Sequence, residues 1–172
     1  VEAERVTMVA MVGDAFARPM LESLDDAAAQ GRSWDLSSLR LVLSSGVMFS
    51  APLKQRLLDH HRCTIVDTLG SSEGTGMGRQ VTSRSRNDRG TARFVLGGHT
   101  RVFTEDGQEV RPGSGERGRL ALGHPLPEGY FKDPAKTEAT FPTIGGRRWS
   151  VPGDWATVEA DGSIVLLGRG SE

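Results

Sequence analysis

The segment Leu69-Gly70-Ser71-Ser72-Glu73-Gly74 puts two hydroxyls, one carboxylate and flanking glycines within a few residues. Hydroxyls and backbone N–H groups suit phosphate oxygens, and a carboxylate beside them suits a divalent cation. The same letters, Gly70-x-Ser72-x-Gly74, match the nucleophile elbow of a serine hydrolase. An elbow needs a helix directly after its serine. Thr75-Gly76-Met77-Gly78 supplies further glycines and no apolar periodicity, and the triad partners would have to come from Asp106 and His124. A third account is a plain solvated turn.

Two more residues could join such a site. Asp154 follows Pro152-Gly153 at a strand entrance and could accept both hydroxyls of a ribose, or bond its own turn backbone. Arg169 follows the apolar run Ile164 to Leu167 and a glycine, and could pair with phosphate. Arg79, Arg84, Arg86, Arg89 and Arg93 form a basic run without interleaved aromatics, which suits a mobile solvated loop better than a nucleic-acid surface. His60, His61, His99 and His124 show no zinc-ligand spacing with Cys63 or with one another.

The elements that must position these residues read as strand–helix–strand. Val6 to Val12 suggests a strand, and Asp14 to Gln30 a helix with Phe16, Met20, Leu21, Leu24, Ala27 and Ala28 at helical spacing. Pro19 is expected in its first turn and Gly31 just past its end. Leu39 to Leu43 is a strand, and Ser44-Ser45-Gly46 ends it. Ser50 caps a helix carrying Leu53, Leu57 and Leu58 on one face, and Thr64 to Thr68 is the next strand. Such units pair their strands in parallel and bind ligands beyond the strands' carboxyl ends. Both ends open into Gly/Ser loops, at Ser44 to Gly46 and at Gly70 to Gly78. From Arg93 the pattern changes to short strands. Glu105-Asp106-Gly107 and Asp161-Gly162 mark two hairpin turns, with Arg119 to Leu122 between them. The expected fold is a partial parallel α/β subdomain over residues 1–92, then a small antiparallel β-barrel subdomain over 93–172.

Bulk properties exclude several classes. The chain has 172 residues, 37% of them hydrophobic, and a net charge of −1, so no global field points to nucleic acid or an anionic membrane. No apolar run reaches the roughly 18 residues needed to span a bilayer. Cys63 is the single cysteine, which fits a reducing, cytoplasmic setting. The chain begins at Val1 and stops soon after an apolar run, and is expected to be a piece of a longer protein.

Several motifs, taken in order, resemble the adenylate-forming acyl-CoA synthetases, also called fatty-acid–CoA ligases or AMP-binding enzymes, and among them the actinobacterial fatty-acid and sterol side-chain CoA ligases. Leu41 to Ser50, with Gly46-Val47-Met48, resembles the strand and turn beside adenine. Leu69 to Glu73 resembles the Tyr-Gly-x-Thr-Glu motif. Gly118-Arg119-Leu120 resembles the family's Gly-Glu-Leu strand. Gly129-Tyr130-Phe131-Lys132-Asp133-Pro134, with Thr137 and Phe141, resembles the Gly-Tyr…Pro…Thr segment. Gly153-Asp154, Asp161-Gly162 and Gly168-Arg169 resemble the last motifs before the interdomain hinge.

The resemblance implies roles. Ser71 and Ser72 would contact phosphate, Glu73 would ligate Mg²⁺, Asp154 would hold the ribose hydroxyls, and Arg169 the ribose or phosphate side. Gly46, Val47, Met48, Leu69 and Gly70 would line the adenine and acyl-binding region. The implied reaction joins a small-molecule carboxylic acid to ATP, then passes the acyl group to CoA. Leu69 replaces the family's aromatic, Ser72 its threonine, and Pro152 the threonine before Gly153-Asp154. Ser171 stands where the family places a hinge lysine or aspartate. The family's phosphate loop and C-terminal catalytic lysine are expected to lie outside the chain, which alone would be inactive. The alternatives are a non-catalytic nucleotide-binding or protein-interaction module, and a serine hydrolase using Ser72.

Overall fold

The computed structural model describes residues 1–85 and 91–170. They form two compact units, Val1–Thr68 with Gln80–Thr91, and Leu69–Arg79 with Ala92–Glu172. Arg86, Arg89 and Ser171, singled out from the sequence, lie outside the described residues.

The first unit contains β1 (Met8–Met11), α1 (Gly13–Ala29), β2 (Leu41–Ser45), α2 (Ala51–His60) and most of β3 (Thr64–Ser71). β1 and β2 pair in parallel with Met8 opposite Leu41, and β2 and β3 with Leu41 opposite Thr64 and Ser45 opposite Thr68. The expected parallel strands are therefore present, and their carboxyl ends come out together. Helix α1 buries Ala17, Leu21, Leu24 and Ala27, three or four residues apart. These pack with Leu53, Leu57 and Leu58 of α2 over Val42 and Ile65 of the strands. Each buried leucine contributes about 1.5–3 kcal/mol of transfer free energy. Leu21, Leu24 and Ala27 of the expected stripe are buried, but Phe16 is 60% exposed and Ala17 takes its place facing the core. Pro19 is the seventh residue of α1, which begins at Gly13, and so lies inside the helix rather than in its first turn. Gly31 adopts φ +68° just past the helix end. Its N–H bonds to Ala28 O at 3.0 Å and that of Arg32 to Ala27 O at 2.8 Å, the paired closure a left-handed glycine permits.

The second unit holds the first part of β4 (Gly74–Thr82), β5 (Arg93–Leu96), β6 (Thr100–Phe103), β7 (Arg117–Leu122), α3 (Pro134–Thr140), the short β8 (Thr143–Ile144) and β9 (Arg147–Arg148), β10 (Asp154–Val158) and β11 (Ser163–Arg169). Its main strands run in the order β4-β5-β11-β10-β7-β6, and each pairing along it is antiparallel. Met77, Phe94, Val102, Leu120, Leu122, Ala156 and Ile164 fill its core. The expected antiparallel sheet is there. Closure is not: β6 ends the order, and no closed barrel forms among the described residues. The turn at Asp161-Gly162 joins β10 to β11 as expected, with Gly162 at φ +76°. Gln108–Val110 meets β6 through one bridge, Phe103 to Glu109, rather than as a full strand.

Two expectations are corrected. The Gly/Ser loop from Gly70 to Gly78 is a tight connection instead: β3 runs to Ser71, Ser72-Glu73 turns, and β4 starts at Gly74. Its glycines serve close approach rather than looseness. A Cβ at Gly74 would stand 2.5 Å from Leu122 Cδ2, and one at Gly97 would stand 2.2 Å from the carbonyl oxygen of Gly76. The basic run is likewise not one solvated loop. Arg79 lies in β4. Arg84 donates to Leu58 O at 2.8 Å and Asp59 O at 3.1 Å, satisfying carbonyls at the end of α2. Arg93 lies in β5 and reaches Ser163 Oγ at 2.9 Å and Asp161 at 3.2 Å.

Candidate functional site

In the second unit, the Ser72-Glu73 turn brings the candidate carboxylate to the tip between β3 and β4. Ser72 is exposed and Glu73 half-buried. Tyr130 Oη donates to Glu73 Oε1 at 2.5 Å. That hydroxyl is the main reason the Glu73 carboxyl sits below the usual range, and the Arg169 guanidinium pulls the same way. In turn Glu73 raises the Tyr130 phenol. Tyr130 is itself held in place. Its N–H donates to Thr137 Oγ1 at 2.9 Å, Thr137 Oγ1 donates to Asp133 O at 2.7 Å, and Lys136 Nζ lies 4.1 Å above the ring. Helix α3 is short but well started, with Pro134 in its first turn and Asp133 Oδ1 accepting the Lys136 N–H at 2.9 Å.

Asp154 and Arg169 lie opposite each other where β10 opens and β11 closes, and Arg169 Nε is 3.4 Å from Asp154 Oδ1. Arg169 acts electrostatically on both Glu73 and Tyr130. The second unit thus gathers Leu69, Gly70, Ser71, Ser72, Glu73, Asp154 and Arg169, with Tyr130 as an added member. An open cleft of about 580 Å³ lies along Gly129–Lys132, Thr137 and Phe141.

Gly46, Val47 and Met48 belong to the first unit. They form an exposed turn just past β2, with Gly46 at φ +84° and Val47 and Met48 about half exposed. The start of α1 fixes this turn. Asp14 N–H donates to Met48 O at 3.0 Å, and the Asp14 carboxylate accepts the Ser50 N–H at 2.8 Å. Gly13 lies so close that a Cβ would come within 2.4 Å of the Val47 and Met48 carbonyl oxygens.

The elbow geometry is absent, because strand β4 follows Ser72 where a helix is required. The Asp106 carboxylate is engaged by Thr104 Oγ1, and the His124 ring stands edge-on to His99 at 6.4 Å. Among the described residues no group of three or more His, Cys, Asp or Glu side chains is placed to hold a metal. Glu73 alone fits a cation whose other ligands are phosphate oxygens and water, as Mg²⁺ commonly has. No helix among the described residues is long and apolar enough to cross a membrane.

Sequence reasoning gave Tyr130 and Lys54 no role. Tyr130 was visible only as a letter in a motif, since its partner lies 57 residues earlier. Lys54 sits on the apolar face of α2, and a lysine at a core-facing position was the available signal.

The fold is that of the adenylation domains. It matches the crystal structure of IdnL1 with a TM-score of 0.81 at 24% identity, over 98% of this chain and 36% of that one. It matches PA1221, an NRPS protein containing adenylation and PCP domains, with a TM-score of 0.74 at 25% identity over 95% of this chain and 33% of that one. Residues 1–131 match the AMP-binding enzyme family, and the chain belongs to it. It is 44% identical over 168 residues to a medium/long-chain-fatty-acid–CoA/3-oxocholest-4-en-26-oate–CoA ligase of Mycolicibacterium smegmatis, covering 97% of this chain and 30% of the relative. It is 40% identical over 173 residues to a 3-oxocholest-4-en-26-oate–CoA ligase of Rhodococcus rhodochrous, covering 99% of this chain and 31% of the relative. The chain spans about 30% of the length of the curated relatives it matches.

Proposed function

We propose that this chain supplies part of the nucleotide site of an ATP-dependent fatty-acid or sterol side-chain CoA ligase of cytoplasmic setting. The observation that carries the proposal is the gathering of Glu73, Tyr130, Asp154 and Arg169 in a family whose relatives here are named as CoA ligases. Ser71 and Ser72 donate to phosphate, and Asp154 accepts the ribose hydroxyls. Arg169, oriented by Asp154, faces the ribose or phosphate side. Leu69 and Gly70 line the adenine and acyl region in the second unit; for Gly46, Val47 and Met48 of the first unit the same role is supported by the motif resemblance alone. The boundary between an α/β subdomain and an antiparallel-sheet subdomain falls near residue 92.

Glu73 is the residue that would hold Mg²⁺, through the carboxylate oxygens that its lowered pKa keeps ionised. Bound there, the cation would neutralise charge on the nucleotide phosphates. This chain's own residues bind and orient. Hydroxyl donors at the turn and the Arg169 guanidinium favour the charge that grows on the α-phosphate as a substrate carboxylate attacks. Pyrophosphate leaves as the acyl-AMP forms, and the CoA thiol, losing its proton, then displaces AMP to give acyl-CoA.

The test is a chimera in which this chain replaces the aligned segment of the M. smegmatis relative. Dodecanoate-dependent exchange of pyrophosphate into ATP is expected, and Glu73→Ala should abolish it. Normal exchange in the Glu73→Ala chimera would remove the assignment.

A further inference from the structure

We infer that Lys54 is a positioning residue for the Gly46–Met48 turn, acting through the carboxylate of Asp67. The functional weight of this rests on the proposal that the turn faces adenine. The geometry stands without it. Lys54 is on α2 between residues that form the core, and it is 1% exposed. Its Nζ donates to Asp67 Oδ2 at 2.9 Å and to Gln80 Oε1 at 2.5 Å, and it lies 5.5 Å from the centre of the Phe49 ring. Asp67 and Gln80 are 4% and 2% exposed. All of these groups belong to the first unit.

A buried ion pair is a poor way to gain stability, since desolvation of both charges offsets their attraction. A leucine at position 54 would extend the Leu53, Leu57, Leu58 surface at no such cost. What the pair supplies is direction. Asp67 stands directly opposite Ser44 across β2 and β3, and the Ser44 hydroxyl and Phe49 N–H both favour its ionised form. Ser44 and Phe49 bracket the turn. Ser44 Oγ accepts the Gly13 N–H at 3.3 Å, so the same hydroxyl joins the Asp67 network to the start of α1, which holds Met48 and Ser50. The turn is thus gripped from α1 on one side and from Asp67 on the other. Burial pushes the Asp67 carboxyl up, and Lys54 is the strongest influence opposing this. Without the ammonium, Asp67 is driven toward its protonated form, which gives up an acceptor site.

Amide hydrogen exchange on this chain tests the inference without any ligand. The Ser50 N–H is the reporter, because Asp14 and not Asp67 holds it. In Lys54→Met, and in Lys54→Met/Asp67→Leu, Ser50 exchange should rise at least tenfold while that of Val42 in β2 stays within twofold of the parent. Lys54→Arg, which keeps a cation, should recover most of the protection. The double variant buries no charge, so it covers the case in which the single variant does not fold. Ser50 exchange within twofold of the parent in the double variant would overturn the inference. AMP titration by calorimetry reports separately on the adenine assignment. Faster Ser50 exchange with unchanged AMP affinity would keep the role of Lys54 and remove that of the turn.

Discussion

Tyr130 and Glu73, 57 residues apart, share a hydrogen bond of 2.5 Å between the phenol and the carboxylate. The bond spans the interval between the β3–β4 turn and the Gly129–Thr137 segment. It anchors Glu73 Oε1 and favours the ionised carboxylate. In the chimera described above, Tyr130→Phe should lower the exchange rate about tenfold or more, in line with the loss of groups that orient a metal-binding side chain. The protein should remain folded, since Tyr130 is only partly buried. An unchanged exchange rate in Tyr130→Phe, beside a strong loss in Glu73→Ala, would show that the phenol is dispensable.

Lys54→Met leaves the Asp67 carboxylate buried without its counter-charge. Loss of one partner from a buried pair costs about 3–5 kcal/mol, whereas replacing both by apolar groups is often neutral. Urea titrations should therefore show a large fall in midpoint for Lys54→Met and a return toward the parent value for Lys54→Met/Asp67→Leu.

Gly97 and Gly98 form a matched pair. A Cβ at Gly97 would meet the Gly76 carbonyl oxygen at 2.2 Å, while one at Gly98 would meet nothing within 4 Å. Gly97→Ala should destabilise by about 1–3 kcal/mol, the usual range for overpacking, and Gly98→Ala should be near neutral. Thermal melts of the two variants side by side give the answer.

Asp161 supplies a pH signature. The Ser163 hydroxyl and N–H, together with Arg93, lower its carboxyl to about 2. A depressed acid contributes stability that is full above its unfolded value, about 3.9, and is lost as pH falls through the folded one. Stability of the parent should fall between about pH 4 and pH 2 with a component that Asp161→Asn lacks. Parallel urea midpoints across that window would expose the difference. Coincident pH profiles would mean that Asp161 is not coupled to folding.

The strand–helix–strand unit was legible because its signals are local. Leu53, Leu57 and Leu58 fall on one helix face, and Gly31 stops α1 by its own backbone. The motif letters from Leu69 to Glu73 and from Gly153 to Arg169 also pointed to the residues that the fold gathers in one unit. What escaped was set by partners distant in sequence. Gly74, Gly76 and Gly78 suggested a loop, yet Leu122 and Phe94 crowd Gly74 and Gly78, Gly76 takes a left-handed φ of +78°, and lack of a side chain is what lets β4 form there. Phe16 has helical spacing from the buried face but stays exposed, because it is Ala17 that faces the core. Helix α3 was not expected from the sequence, because at 7 residues it is too short for periodicity to register. Closure of the later strands depends on pairings that no local pattern encodes.

The 2.5 Å that would separate a Gly74 Cβ from Leu122 Cδ2 has a practical consequence. The strand that leaves the Glu73 turn starts directly against an apolar side chain at the end of β7. A kinetic screen in the chimera would therefore score conservative changes at Leu122 together with those at Glu73, although that side chain has no chemistry of its own.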